Sequence, residues 1–294
     1  MSIKNLKIIG ERINPGFKST KQLFDAENIV GIQALAVDQV SKGASYLNIN
    51  IGNIALKKPQ FMVEVIKSVQ DVVAVPLSFD FPNVQVQEMC LKAYDLEKAN
   101  GALPIVNSIS ELRWEMLDLL NICPCRFILM ASEREQGGKR IANKTADAVH
   151  QTVSRMATRI LSGGHGLTLQ DLFVDVSIGP IGADMDGLTR MAVDSIRSIG
   201  NDPMLKGIHM SVGLSNISIM LPKDARDGSP LKPQIESAFL TLTVPHGLDT
   251  VLGTAGRDYN MLPDDNLVMR GVREALELDD IDAVLRIQQI YQGA

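Results

Sequence analysis

No apolar run in this sequence approaches the roughly 20 residues of a membrane-spanning helix, and its opening stretch, MSIKNLKIIG, lacks the long apolar core of a signal peptide. A cytoplasmic protein without membrane attachment is the expectation. Positive charge is not in excess: 29 Lys and Arg stand against 34 Asp and Glu, a net charge of −5, which argues against nucleic acid or an anionic membrane as the main partner. Cysteine is scarce. Cys90, Cys123 and Cys125 make an odd count with no framework spacing, which suits a reducing compartment rather than a disulfide scaffold. The Cys-Pro-Cys stretch runs into the apolar segment RFILMAS, so buried structural thiols fit it, with redox or metal chemistry as the alternative. The four histidines, His150, His165, His209 and His246, fall on expected helices, a connecting loop and a strand, which disfavours a multi-histidine metal site. There is no Gly-x-Ser-x-Gly elbow, no P-loop and no Gly-x-Gly-x-x-Gly stretch. No lysine closes a strand on the expected site face, so Schiff-base chemistry is disfavoured too.

What the chain does have is apolar content, 45% of 294 residues, distributed in a regular alternation. Short strand-like runs occur at LKIIG, SYLNINIG, AVPLSFD, ALPIVNS, CRFILMAS, DLFVDVSIG, GIHMSVGLS and DTVLGT. Between them lie segments of helical periodicity: 27–43, Phe61–Val72, Val84–Lys98, Ser110–Asn121, Thr145–Ser162, Leu188–Ile199, Pro233–His246 and Asp265–Leu276, with a last amphipathic piece at Ile281–Tyr291. In the first of these Ile29, Ile32, Leu35, Ala36 and Val40 share a face, and Gly43 closes it as a C-cap. Eight β–α units with no linker or change of composition match a (β/α)8 barrel forming one domain over 1–294. A doubly wound open sheet satisfies the same alternation, because periodicity does not report closure.

In a barrel of this kind the site lies at the C-terminal ends of the strands. Those ends carry an unusual set of side chains: Glu11, Arg12 and Asn14 after the first strand, then Asn48, Asn50 and Asn53 along and after the second. Asp80 and Asn83 follow the third, Asn107 and Ser108 the fourth, Ser132 and Glu133 the fifth, Asp175 and Ser177 the sixth, Ser215 and Asn216 the seventh. Any single one reads first as a helix N-cap. Asp80, Asn107, Asp175 and Asn216 each close an apolar run, and together they point to one mouth. Carboxylates that accept hydrogen bonds, amides that both donate and accept, and the lack of a strong nucleophile suit a flat, neutral, polar heterocycle with an amino-pyrimidinone edge, as in guanine or a pterin.

These residues resemble those of the pterin-binding barrel family, and within it the methyltetrahydrofolate:corrinoid methyltransferases and the folate domain of cobalamin-dependent methionine synthase. GERIN, LNINIGN, SFD at 78–80, VNS at 106–108, LFVDVSIGPIG and VGLSNIS follow in the family's order over nearly the whole chain. The resemblance implies that Asp80, Asn107 and Asp175 hold the pterin ring. It implies that Gly213, Ser215 and Asn216 lie beside its N5 edge, with Asn216 and Asp80 catalytic. Glu11, Arg12 and Asn14 form the first-strand wall of the expected pterin mouth, with Asn50 among its binding residues, although a Glu11–Arg12 pair bracing the barrel floor is an equal reading. It implies further a methyl transfer between N5 of 5-methyltetrahydrofolate and cobalt(I) of a corrinoid (cobalamin) carried by a separate protein, since no Asp-x-His-x-x-Gly stretch is present. A homodimer, no permanently bound cofactor and no metal site belong to the same expectation. Dihydropteroate synthase shares the scaffold, but its late Gly-x-Ser-Arg-Lys pattern is replaced here by GLSNIS, which offers no cation for a diphosphate. A folate-binding subunit without turnover is the other alternative. Ile219 stands where relatives can carry a polar group. The stretch MLPKDARDGSPLKP reads either as a contact for the substrate tail or a partner, or as a solvated loop. Thr254, Arg257 and Asp258 after the eighth strand have no evident role in the sequence alone.

Overall fold

The computed structural model describes residues 3–50, 52 and 54–292; Asn53 lies outside the described residues. Among those described, ten strands form: β1 (Lys7–Ile13), β2 (Tyr46–Ile49), β3 (Leu77–Asp80), β4 (Ile105–Ile109), β5 (Arg126–Met130), β6 (Glu133–Gln136), β7 (Lys139–Ala142), β8 (Leu172–Asp175), β9 (His209–Gly213) and β10 (Leu248–Gly253). All but β6 and β7 pair in parallel in the closed order β1-β10-β9-β8-β5-β4-β3-β2. Closure excludes the open-sheet reading, and each barrel strand feeds a helical layer that packs on its outer face.

The helices run close to their expected bounds. Ile29–Ser41 ends at Lys42 with Gly43 at φ 93° behind it, the left-handed step a C-terminal glycine supplies. Thr145 caps Ala146–Ser162 and Asn83 caps Val84–Ala93, each accepting from a backbone N–H. Several features depart from the sequence reading: the helix expected over Val84–Lys98 ends at Ala93, and a short helix, Ile54–Lys57, follows β2. An additional helix, Lys18–Asp25, follows β1. Ser110–Asn121 yields only a 3-10 segment at Trp114–Asn121. Glu133, expected as a strand-end site residue, instead opens the β6–β7 hairpin and pairs with Arg140 at 2.5 Å. Alternating charge in EREQGGKR hid that hairpin, whose two glycines turn at φ 61° and 77°.

Two cores share the apolar content. The larger fills the space between strands and helices. The smaller lies inside the barrel and consists of Ile9, Tyr46, Ile105, Ile128 and Phe173, with Leu252 against them. Tyr46 meets Phe173 edge-on at 6.2 Å, and the His209 ring stacks on Phe173 at 4.7 Å. Because strand side chains alternate with a period of two, the next inward positions toward the C-terminal ends are Glu11, Asn48, Asn107 and Asp175. On these four strands the interior passes from apolar to polar within one step, whereas β5 stays apolar at Met130. Cys90, Cys123 and Cys125 are free and buried, and burial pushes the Cys90 and Cys125 thiols up to about 12, as inert structural thiols require.

Candidate active site

The polar step inside the barrel is organised around Asp80, the last residue of β3. Asn48 and Asn50, two positions apart and therefore on one face of the strand-2 segment, donate their amides to the same Asp80 Oδ2 at 3.1 and 2.9 Å. Asn50 Oδ1 turns back to accept from the Gly52 N–H at 3.1 Å. Burial raises the Asp80 carboxyl above its ordinary range, and the two amide bonds only partly offset this. Asp80 Oδ1 is left without a protein partner among the described residues, so one carboxylate oxygen is available to a ligand.

Asn107 is the register partner of Asp80 across β3 and β4. It lies within β4 rather than ahead of a helix, so it caps nothing. The Asn107–Ser108 peptide is cis. A fully buried glutamine, Gln87 of helix Val84–Ala93, donates one amide group toward the carbonyls of Phe79, Phe81 and Asn107 at 2.7, 2.9 and 3.2 Å. Gln87 thereby fixes the ends of β3 and β4 relative to each other. Sequence reasoning missed it, since VQVQEMC reads as an ordinary amphipathic face.

Asp175 closes β8. Its Oδ1 accepts the Ser177 N–H at 2.7 Å, with Ser177 in the left-handed region at φ 60°. This local turn satisfies part of the carboxylate, but Asp175 caps no helix: the next helical turn, Ile181–Ala183, begins after Pro180. Burial nonetheless pushes its carboxyl up to about 6, against the Ser177 hydrogen bond, and the charge of Asp80 adds to the rise. Two carboxylates from separate strands therefore feel each other in one low-dielectric mouth.

The opposite wall is built from β1, β9 and β10. Glu11 is buried and accepts from Ser215 Oγ at 2.7 Å and from Thr254 Oγ1 at 2.6 Å. The Glu11–Arg12 pair is not formed. Arg12 points away, donating to Ser19 at 3.0 Å and lying 4.2 Å over the Phe17 ring. Asn14 accepts from the Gly16 N–H at 2.8 Å, which makes it the start of a turn. Asn216 sits past the end of β9 in the 3-10 turn Leu214–Ser218, with its side chain exposed. It does not cap the next helix: Leu231–Thr243 begins after Pro230. A Cβ on Gly213 would lie 2.8 Å from Asn216 Nδ2, so glycine at 213 is what lets the Asn216 amide fold against the strand end.

Thr254 and Arg257, unassigned from sequence, both find partners here: Thr254 on Glu11 and Arg257 on the buried Glu236 of helix Leu231–Thr243. The stretch after the Leu214–Ser218 turn is an ordered loop. Leu221 and Ala225 bury, and the Arg226 N–H donates to Ile290 at 2.9 Å. It packs toward the C-terminal helix Asp280–Gln288 instead of hanging in solvent.

Residues 13–252 match the family described as pterin binding enzyme. The chain is 25% identical over 258 residues to a methylcorrinoid:tetrahydrofolate methyltransferase of Eubacterium limosum, covering 85% of this chain and 86% of that one. Among solved structures it resembles dihydropteroate synthase of Thermus thermophilus (19% identity, TM-score 0.59, 93% of both chains). It also resembles dihydropteroate synthase of Stenotrophomonas maltophilia (16% identity, TM-score 0.58, 98% of this chain and 93% of that one). At these identities the structural likeness speaks for the fold.

Proposed function

The chain belongs to the pterin-binding enzyme family, and from that premise we propose that it transfers a methyl group between N5 of 5-methyltetrahydrofolate and the cobalt of a corrinoid held by a separate protein. The observation that carries this reading is the character of the mouth. It offers two half-buried carboxylates, both raised by desolvation, and several amides, while Glu11 is already occupied by two hydroxyls. Such a lining recognises an amino-pyrimidinone edge and supplies no nucleophile. In the transfer the nucleophile is the substrate corrinoid's cobalt(I).

Asp175 and the free Oδ1 of Asp80 accept from the pterin amide and amino groups, and Asn107 adds a donor and an acceptor between them. In the forward direction the N5–methyl bond breaks, its electron pair stays on N5, and the cobalt(I) pair forms the new bond to carbon. N5 is a poor leaving group unless it is protonated or strongly hydrogen-bonded as the bond breaks. Asn216 donates to N5. An amide has no proton to give at neutral pH, so ordered water delivers the proton and Asp80 polarises it. The same reading makes the protein a cytoplasmic homodimer with no resident cofactor.

A turnover assay with 5-methyltetrahydrofolate and free cob(I)alamin tests it, with formation of methylcobalamin and tetrahydrofolate as the expected products. Formation of dihydropteroate from a pterin pyrophosphate and p-aminobenzoate, or folate binding with no turnover, would overturn it.

A further inference from the structure

The turn Leu214–Ser218 is tied at both ends to carboxylates from other parts of the barrel. Near its start Ser215 donates to Glu11 of β1 at 2.7 Å. At its end Ser218 donates to Glu236 Oε1 at 2.7 Å and also lies 3.3 Å from the Ser215 carbonyl. Glu236 belongs to helix Leu231–Thr243 and has no exposed surface. Arg257, just past β10, donates to the same Oε1, while Oε2 has no hydrogen-bond partner among the described residues.

A buried ion pair of this kind is expensive, and an apolar residue would pack helix against turn at least as well. Packing therefore does not account for Glu236. A directional role does. Leu214 and Ile217 bury beneath the turn, but apolar contact is non-directional and does not fix its rotation. A single 3-10 turn has weak hydrogen bonding of its own, and Gly213 at its start gives no side-chain cap. Two hydroxyl-to-carboxylate bonds, one on either side of Asn216, set its orientation.

We propose that Glu236, itself held by Arg257, is a positioning residue: through Ser218 it locks the Leu214–Ser218 turn so that the Asn216 amide meets the reacting nitrogen at one fixed angle. The proposal rests on the reading of Asn216 as the donor to N5. Glu236 touches no substrate.

Ser218→Ala cuts the tie and leaves the Glu236–Arg257 pair intact. Glu236→Gln removes the charge but keeps an oxygen that accepts from Ser218. Three quantities are measured on the full chain: amide hydrogen exchange over 214–218, tetrahydrofolate affinity, and single-turnover transfer to cob(I)alamin. Ser218→Ala should speed exchange in the turn and slow transfer by about 10- to 100-fold, the scale of a small misplacement of a catalytic group. Affinity should change by less than about twofold, because the pterin is held from the other wall. Glu236→Gln should retain most of the transfer rate. Unchanged exchange in the turn, an unchanged rate in Ser218→Ala, or a rate that falls only in step with affinity would overturn the proposal. If the wild-type protein transfers no methyl group, the donor reading fails separately, and exchange in the turn still decides whether the Ser218–Glu236 tie holds it.

Discussion

Ser215 donates its hydroxyl to Glu11 at 2.7 Å, joining the first barrel strand to the turn after β9 across 204 positions of chain. With Thr254 on the other carboxylate oxygen, Glu11 is a structural node of the mouth. Glu11→Ala leaves two partly buried hydroxyls unpaired and should lower unfolding stability by about 1–3 kcal/mol. Glu11→Gln keeps one strong acceptor and should cost less. Equal midpoints for wild type and Glu11→Ala in denaturant titration would remove this role.

Asp175→Ala removes a carboxylate that accepts from the ligand and leaves ligand donors unpaired. Tetrahydrofolate and 5-methyltetrahydrofolate should both bind more weakly, by about 2–5 kcal/mol. Calorimetric titration of the two ligands checks this. Unchanged dissociation constants would take Asp175 out of the site.

The same carboxyl makes stability and binding depend on pH in opposite senses. Its folded value of about 6 lies above the ordinary 3.8, so between these values the folded chain holds the extra proton. Stability contributed by Asp175 is full below the lower value and is lost as pH rises through the upper one. Unliganded Asp175→Asn should therefore be more stable than wild type by up to about 3 kcal/mol at neutral pH, with the gap closing toward acid. Ligand binding needs the ionised form, so tetrahydrofolate affinity in the wild type should fall by up to about tenfold per pH unit below the folded value. Thermal melts and titrations across the acid range report both.

Asn216→Ala should slow the chemical step more than it weakens binding, because the hydrogen bond to N5 strengthens as the methyl group leaves. One such contact is worth on the order of 2–4 kcal/mol in the transition state. Asn216 is exposed and caps no helix, so the melting temperature should hardly move. A normal single-turnover rate to cob(I)alamin would send the search for the N5 contact elsewhere.

Gly213→Ala tests the same group from behind. The new Cβ would meet Asn216 Nδ2 at 2.8 Å, the far end of a side chain that can swing away. Stability should stay near wild type while single-turnover transfer drops by about 10- to 100-fold. A crystal structure of the variant with Asn216 unmoved and full activity would contradict this.

The alternation of short apolar runs and amphipathic segments was enough to specify eight strands, most of their helices and the face on which polar residues gather, because periods of 2 and about 3.6 are local properties of the chain. Asp80, Asn107, Asp175 and Asn216 were visible for the same reason, as polar interruptions at strand ends. Sequence could not say which of them pair. Asn48 and Asn50 converge on Asp80, Glu11 takes hydroxyls from the Ser215 turn and the end of β10 in place of its neighbour Arg12, and Asn14 serves a turn. Gln87 and Glu236 escaped notice because each sits in a helix whose pattern marks it as one more polar position; only closure of the barrel buries them against strand ends and the Leu214–Ser218 turn. Hydrogen bonds between residues far apart in the chain depend on distances that barrel closure sets. Those distances, rather than residue type, decide which carboxylates are left free for a ligand and which are spent on the frame.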